Sequence, residues 1–303
     1  LRYEFVGASE ILNDGLFFIT GLLSGGYKMR MNYSGDEDYS DEWYDNKPNF
    51  MSAETVSVTA PNRTGDIYFT LDYPGIIQGF LTDNQGTRLA DKENAIEIFA
   101  FDETTEEFAY STINTFTGGY QMSLLEGNYK IEAMSFFFNW MSKPADLAAV
   151  FYLNGKSFDD PNALPVSASS GASRKLETIA IEKSKGSVYG TIFDWDSGLP
   201  VTEEDYVVFV FDEDGYLVGG SGYLEFNNPI SGEYHVGGLR PGNYYLLVWL
   251  TDKSQWQWYS GVDVSIDWNT FTPKVDIPPA AFAVTVGSGE TGGIDFYLNL
   301  TKK

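Results

Sequence analysis

The residues able to do chemistry are few. The chain has one histidine, His235, and no cysteine, so a thiol nucleophile, a disulfide and a thiolate metal site are all excluded. A Ser-His-Asp arrangement would have to be built on His235. That residue alternates with Tyr234 and Val236 on a strand whose apolar residues face inward, which points the imidazole to solvent. No nucleophile-elbow pattern accompanies it. Glycosidase chemistry needs two carboxylates at a suitable separation, and 43 acidic residues supply such pairs anywhere, so that signal has no specificity. The expectation is a protein that is not an enzyme and carries no cofactor.

Hard oxygen ligands are the one abundant kind, which makes calcium the metal to weigh. Asp194 and Asp196, with Glu203, Glu204 and Asp205, form one acidic cluster; Asp36, Glu37, Asp38, Asp41 and Glu42 form another. Gly198 falls one place early for an EF-hand loop and no Glu stands at the twelfth position. Solvated turns are therefore expected, with Asp194, Asp196, Asp36 and Asp38 as weak calcium candidates. Sugar rings stack on exposed indoles, so Trp195, Trp256 and Trp268 are candidates for glycan stacking. Sequons at Asn32, Asn62 and Asn299 matter only in a source that glycosylates them.

The formal charge of −24 repels nucleic acid and anionic membrane surfaces. No run approaches the roughly 18 apolar residues of a membrane span, and the first residues do not read as a signal peptide. The expected partners are other copies of the chain, neighbouring repeats of a longer chain, or glycans.

The elements that must position these residues are strands. Gly232-Glu233-Tyr234-His235-Val236-Gly237-Gly238-Leu239 followed by Gly242-Asn243-Tyr244 is a strand, a glycine turn and a second strand opening on Tyr. The phrase recurs as Gly118-Gly119-Tyr120-Gln121-Met122-Ser123-Leu124 with Gly127-Asn128-Tyr129, and as Gly15-Leu16-Phe17-Phe18-Ile19-Thr20-Gly21-Leu22 with Gly25-Gly26-Tyr27. Aromatic pairs recur too, at Trp43-Tyr44, Phe151-Tyr152 and Trp258-Tyr259, as do closing strands at 66–71, 176–181 and 294–298. The period is that of tandem β-sandwiches: 1–72, 73–184 and 185–303. One short helix is expected at 144–153, from its Pro start, Ala content and Gly155 stop.

These motifs resemble the carboxypeptidase regulatory-like repeats of prokaryotic surface proteins, which are similar in turn to transthyretin-like and collagen-adhesin B-type sandwiches. The resemblance implies an all-β, Ig-like or transthyretin-like Greek-key sandwich for the second and third repeats, used as a spacer, stalk or adhesive module outside the cell. Some collagen-adhesin sandwiches crosslink through a Lys on the first strand, but Ile76 to Leu81 and Val188 to Ile192 contain none.

Two features bear on assembly. The first repeat lacks the two strands that open the others, which leaves an edge beside Phe17, Phe18 and Ile19. Three explanations fit: further repeats lie upstream, the sandwich is reduced, or a neighbouring molecule supplies a strand. The strand Tyr244 to Leu250 is apolar on both faces, so something must cover Tyr245, Leu247 and Trp249: the loop 260–279, the adjacent repeat, or another subunit. The functional expectation is an extracellular structural or adhesive subunit of a stalk, filament or envelope layer. The alternative is a glycan-binding accessory module of a secreted hydrolase.

Overall fold

The computed structural model describes residues 6–12, 15–32, 39, 41–89, 96–113, 117–138, 147–176, 178–202, 206–223, 232–250, 255–264 and 274–300. Within them the regular structure is all β, in several discrete sheets. That arrangement is consistent with tandem sandwich-like repeats. Among the described residues no helix is long and apolar enough to cross a membrane.

In the middle of the chain, Gly75–Asp83 lies between Gly119–Leu124, which is antiparallel to it, and Ser173–Lys175 and Ile179–Ile181, which are parallel. Facing this sheet, Ile96–Asp102 runs antiparallel to both Phe108–Ile113 and Gly127–Phe138. Alternate side chains meet between the layers, so Ile77, Leu81, Ile98, Tyr129, Ile131 and Val166 are fully buried in one core. The C-terminal part repeats the plan. Gly186–Asp194 lies between Glu233–Leu239 and Phe296–Leu298, and faces a sheet in which Tyr206–Phe211 runs between Leu217–Tyr223 and Gly242–Leu250. Val188, Ile192, Val208, Leu246 and Val248 fill the space between.

A third core lies outside both. The two facing sheets are one continuous sheet, because Gly220, Ser221 and Gly222 pair parallel with Phe136, Phe137 and Phe138. With a side-chain period of two, Ile98 and Ala100 face the first core while Phe99 and Phe101 face out. Val208 and Val210 likewise face in, and Val207, Phe209 and Phe211 face out. Phe158, Ala163, Trp256, Trp258 and partly buried Val275, Ile277 and Ala281 cover this outer face. Full burial of each phenylalanine is worth about 1.5–3 kcal/mol, so the joint holds the two parts firmly together.

Two expectations are corrected. Within 144–153 the described residues are not helical: Val150–Phe151 is a strand pairing with Ala133 and Glu132, and Leu153 and Asn154 take left-handed backbone angles. Pairing to a preformed sheet outweighs the alanine propensity there. In the first repeat, 16–22 and 66–71 carry no assigned strand, and regular pairing is confined to Gly25–Tyr27 with Val56–Val58 and Arg30–Met31 with Glu42–Trp43. Val6 to Ala8 are exposed and irregular, and 1–5 lie outside the described residues.

Candidate interaction sites

The same corner recurs in three parts of the chain. Tyr27 Oη donates to the Leu23 carbonyl at 2.8 Å, Tyr129 Oη to Leu125 at 3.0 Å and Tyr244 Oη to Arg240 at 2.7 Å. Each reaches back four residues across a glycine turn, the back-bonding corner known from sandwich folds. The ammonium of Lys28 bonds the Phe50 carbonyl and lies 5.2 Å from that ring's centre; Lys130 does the same at Phe158, at 4.4 Å.

An aromatic trio also recurs. Tyr234 and Phe296 meet edge-on at 5.9 Å and 61°, and Tyr259 meets Phe296 at 5.8 Å and 73°. In the first repeat Phe17 meets Phe69 at 6.2 Å and 62°, and Tyr44 meets Phe69 at 5.7 Å and 69°. The same three positions carry the same contacts. Their burial differs, however: Tyr234, Val236, Phe296 and Leu298 are at most 3 % exposed, whereas Phe17, Ile19, Phe69 and Leu71 are only half-buried.

The doubled apolar strand is covered by its own chain. Leu247 is 0 % exposed in the third core, which corrects its expectation as an intersubunit contact: no surface is left for a second molecule to touch. Tyr245 and Trp249 are half-buried at the margin of that core. Trp249 stacks on Trp256 at 4.9 Å and 6°, and Trp256 stacks in turn on Phe209. Trp256 is 4 % exposed, so it cannot present a face to a sugar, a second correction. Trp195 is exposed and stands edge-on to Tyr297, which stacks on Phe193 at 5.3 Å. Trp268 lies outside the described residues, as do Asp36 and Asp38.

The Asp194 carboxylate accepts from the backbone of Asp196 and Ser197, and these bonds, led by the Ser197 side chain, hold it below the usual carboxylate range. It shapes its own turn. Among the described residues no three His, Asp or Glu side chains are grouped to hold a metal ion. His235 is half-buried and meets Tyr189 edge-on. Asn32 and Asn62 are exposed; Asn299 is half-buried at the end of the last strand.

Glu132 escaped the sequence reading. It is 2 % exposed on the continuous sheet, and burial, with the nearby Asp212 carboxylate, pushes its carboxyl well above the usual range. The signal was present in the alternation of 129–133, which sets Lys130 and Glu132 on the face opposite Tyr129, Ile131 and Ala133. Glu132 lies between Phe99 and Phe151, its register partners, on the face that the third core covers. At the joint, Arg240 bonds the Ala149 carbonyl at 2.9 Å and sits 3.6 Å from Glu182. Gly238 takes φ +78° against the Leu147 carbonyl, where a Cβ would come within 2.2 Å. Where the first repeat meets the second, Asn49 bonds Thr105 and the Met51 amide donates to Glu107.

No family model matches the chain, and no curated protein matches it. Among solved structures it is similar to the TIE protein of Bacillus anthracis at 12 % identity, over 93 % of this chain and 44 % of that one, with a TM-score of 0.25. A streptococcal ancillary pilin matches at 13 % identity over 89 % and 75 %, with a TM-score of 0.26. A shaft pilin of Lactobacillus rhamnosus matches at 9 % identity over 68 % and 100 %, with a TM-score of 0.22. At such scores these likenesses assign neither fold nor role, and the regulatory-like resemblance rests on the chain's own motifs.

Proposed function

We propose that the chain is a non-enzymatic structural or adhesive protein of the cell exterior, a tandem β-sandwich subunit of a surface stalk, filament or envelope layer. Its units on this reading are 1–72, 73–184 and 185–303. The observation that carries it is the joint between the second and third units, where one sheet runs through both and a shared aromatic core lies over it. Ordinary interdomain contacts let domains move. A joint continuous in hydrogen bonding and packing resists such motion, which suits a part that bears load. The acidic surface keeps such subunits apart until specific faces meet.

Mass measurement in solution with electron microscopy of the native material tests this. Regular self-associated species are expected, and monodisperse single chains across a wide concentration range contradict it. The half-buried margin at Tyr245 and Trp249 is the contact to try first: if Trp249→Glu leaves folding and self-association unchanged, that strand has no part in assembly.

One observation favours a second reading, a glycan-binding accessory module of a secreted hydrolase. Trp195, Tyr297 and Phe193 form an aromatic ladder on an outer sheet face. Retardation on polysaccharide gels that is lost in Trp195→Ala would support it; migration equal to a control protein on every polysaccharide tried would remove it.

A further inference from the structure

We infer that the outer face of the sheet around Gly186–Asp194 is an extended binding site for a neutral oligosaccharide. Tyr189 and Trp195 are its stacking platforms, one at each end, and the carboxylates of Glu233 and Asp295 lie between them. This deepens the glycan-binding reading above, on which it rests, by giving the footprint, length and charge of the ligand. The strands fix which side chains stand on that face. Val188 and Ile192 point into the core, so the side-chain period of two sends Tyr189, Thr191 and Phe193 outward. On the neighbouring strands Tyr234, Val236, Ile294 and Phe296 point in, which sends Glu233, His235, Asp295 and Tyr297 out. Register sets them side by side: Tyr189 opposite His235, Thr191 opposite Glu233, and Phe193 opposite Tyr297.

Two aromatic banks result. At one end Tyr189, 43 % exposed, lies over Gly292, where its ring leaves no room for a Cβ, and meets His235 edge-on. At the other end Phe193 and Tyr297 stack on each other, and Trp195, turned 87° to Tyr297, is 66 % exposed. Most of that indole is open to a sugar ring. The strand from Tyr189 to Phe193 spans about 13 Å, so a single sugar cannot engage both banks and an oligosaccharide can.

Between the banks the face offers acceptors. The Thr191 amide donates to Asp295 Oδ1 at 2.8 Å, which fixes that carboxylate, and Glu233 is exposed on the other side of Thr191. An ionised carboxylate only accepts, at about four lone-pair sites, and so selects a ligand rich in hydroxyl donors. Gly186–Asp194, Glu233–Leu239, Glu290–Thr291 and Phe296–Leu298 contain no Lys or Arg. An acidic sugar would therefore meet repulsion there, from a chain of net charge −24. The corresponding face of the second unit differs. Its aromatic residue Phe80 carries Arg88 at 3.8 Å and Lys175 at 5.5 Å from the ring centre, so cations of the same chain cover it. Among the described residues no cation lies over Tyr189, Phe193, Trp195 or Tyr297.

Isothermal titration of the whole chain with cellohexaose, laminarihexaose and mannohexaose tests this. At least one is expected to bind saturably with a dissociation constant tighter than ~1 mM. Hexagalacturonate, which carries a carboxylate on every ring, and the disaccharide of the bound sugar should each bind at least ~10-fold more weakly. Trp195→Ala and Tyr189→Ala should each weaken the hexasaccharide at least ~5-fold, while Tyr68→Ala, at an exposed tyrosine of the first unit, should stay within ~2-fold. All three side chains are exposed, and melting temperatures check that the variants fold. Binding unchanged in Tyr189→Ala, or equal binding of hexagalacturonate or the disaccharide, overturns this site and leaves a glycan-binding module standing. No binding of any neutral hexasaccharide removes both. A pentalysine peptide whose binding falls in Trp195→Ala and Tyr189→Ala, where no sugar binds, would make the face a dock for cations and likewise overturn the proposal.

Discussion

The first and third units run the same local plan to different ends. Both have the tyrosine that bonds four residues back, a glycine turn in the left-handed region and an aromatic trio of nearly identical geometry. In the third unit these features sit in a closed core with Val236 and Phe296 almost fully buried. In the first the matching Ile19 and Phe69 are half-exposed, and sheet pairing is reduced to short ladders. Local chemistry thus suffices to place the corners and rings. A strand that runs through the middle of a sheet is needed to turn them into a core, because it satisfies backbone groups on both sides and caps the apolar row.

Paired substitutions sharpen this contrast. Phe296→Ala should cost about 3–5 kcal/mol, the range for emptying a closed aromatic site, while Phe69→Ala should cost less than about half as much. Thermal melts of the two variants measure the difference, and equal costs would mean that the first unit is as closed as the third.

A second pair concerns the turns. Gly238→Ala places a Cβ against the Leu147 carbonyl as well as imposing left-handed strain, whereas Gly21 has open space around it. Gly21→Ala should cost about 1 kcal/mol from backbone strain alone, and Gly238→Ala distinctly more. Denaturant midpoints report both.

The buried Glu132 gives the closed part of the molecule a pH signature, as Glu42, pushed up to about 7 by burial and the Asp72 carboxylate, does the first unit. The folded-state carboxyl of Glu132 binds a proton more tightly than the unfolded one, so the folded state holds the extra proton above the ordinary carboxylate range. Stability contributed by this group is greatest in acid and falls as pH rises through that range toward the raised value. Glu132→Gln should therefore raise stability at neutral pH by about 1–3 kcal/mol and flatten the pH dependence of melting. A variant no more stable than the parent at pH 7 would show that the carboxylate is solvated in place.

The smallest effect is expected at the corners. Tyr244→Phe and Tyr129→Phe should each cost about 0.5–1.5 kcal/mol for the lost hydroxyl bond, and Tyr27→Phe less, since its ring is only half-buried.

Much of the plan was legible in the sequence because it is local. The glycine-turn phrases, the alternation of Tyr120 and Met122 or Tyr234 and Val236, and the recurrent aromatic pairs need only neighbours within a few residues. What escaped was non-local. Nothing near Phe136 or Gly220 in the sequence says that they pair, so the continuous sheet and the core over Phe99, Phe209 and Trp256 went unseen. Trp256, a candidate for glycan stacking, and Leu247, a candidate for contact with another subunit, are both buried in that core. The helix expected at 144–153 failed for the same reason, since Val150 and Phe151 take their conformation from the strand beside them.

Hydrogen exchange of the isolated chain tests the comparison most directly. The amides of Tyr234–Leu239 pair with Gly186–Asp194 and should exchange at least ~100-fold more slowly than those of Phe17–Leu22, because only the former lie in a closed cooperative unit. Equal protection of the two segments would show that the first unit is as closed as the third, and would contradict the account.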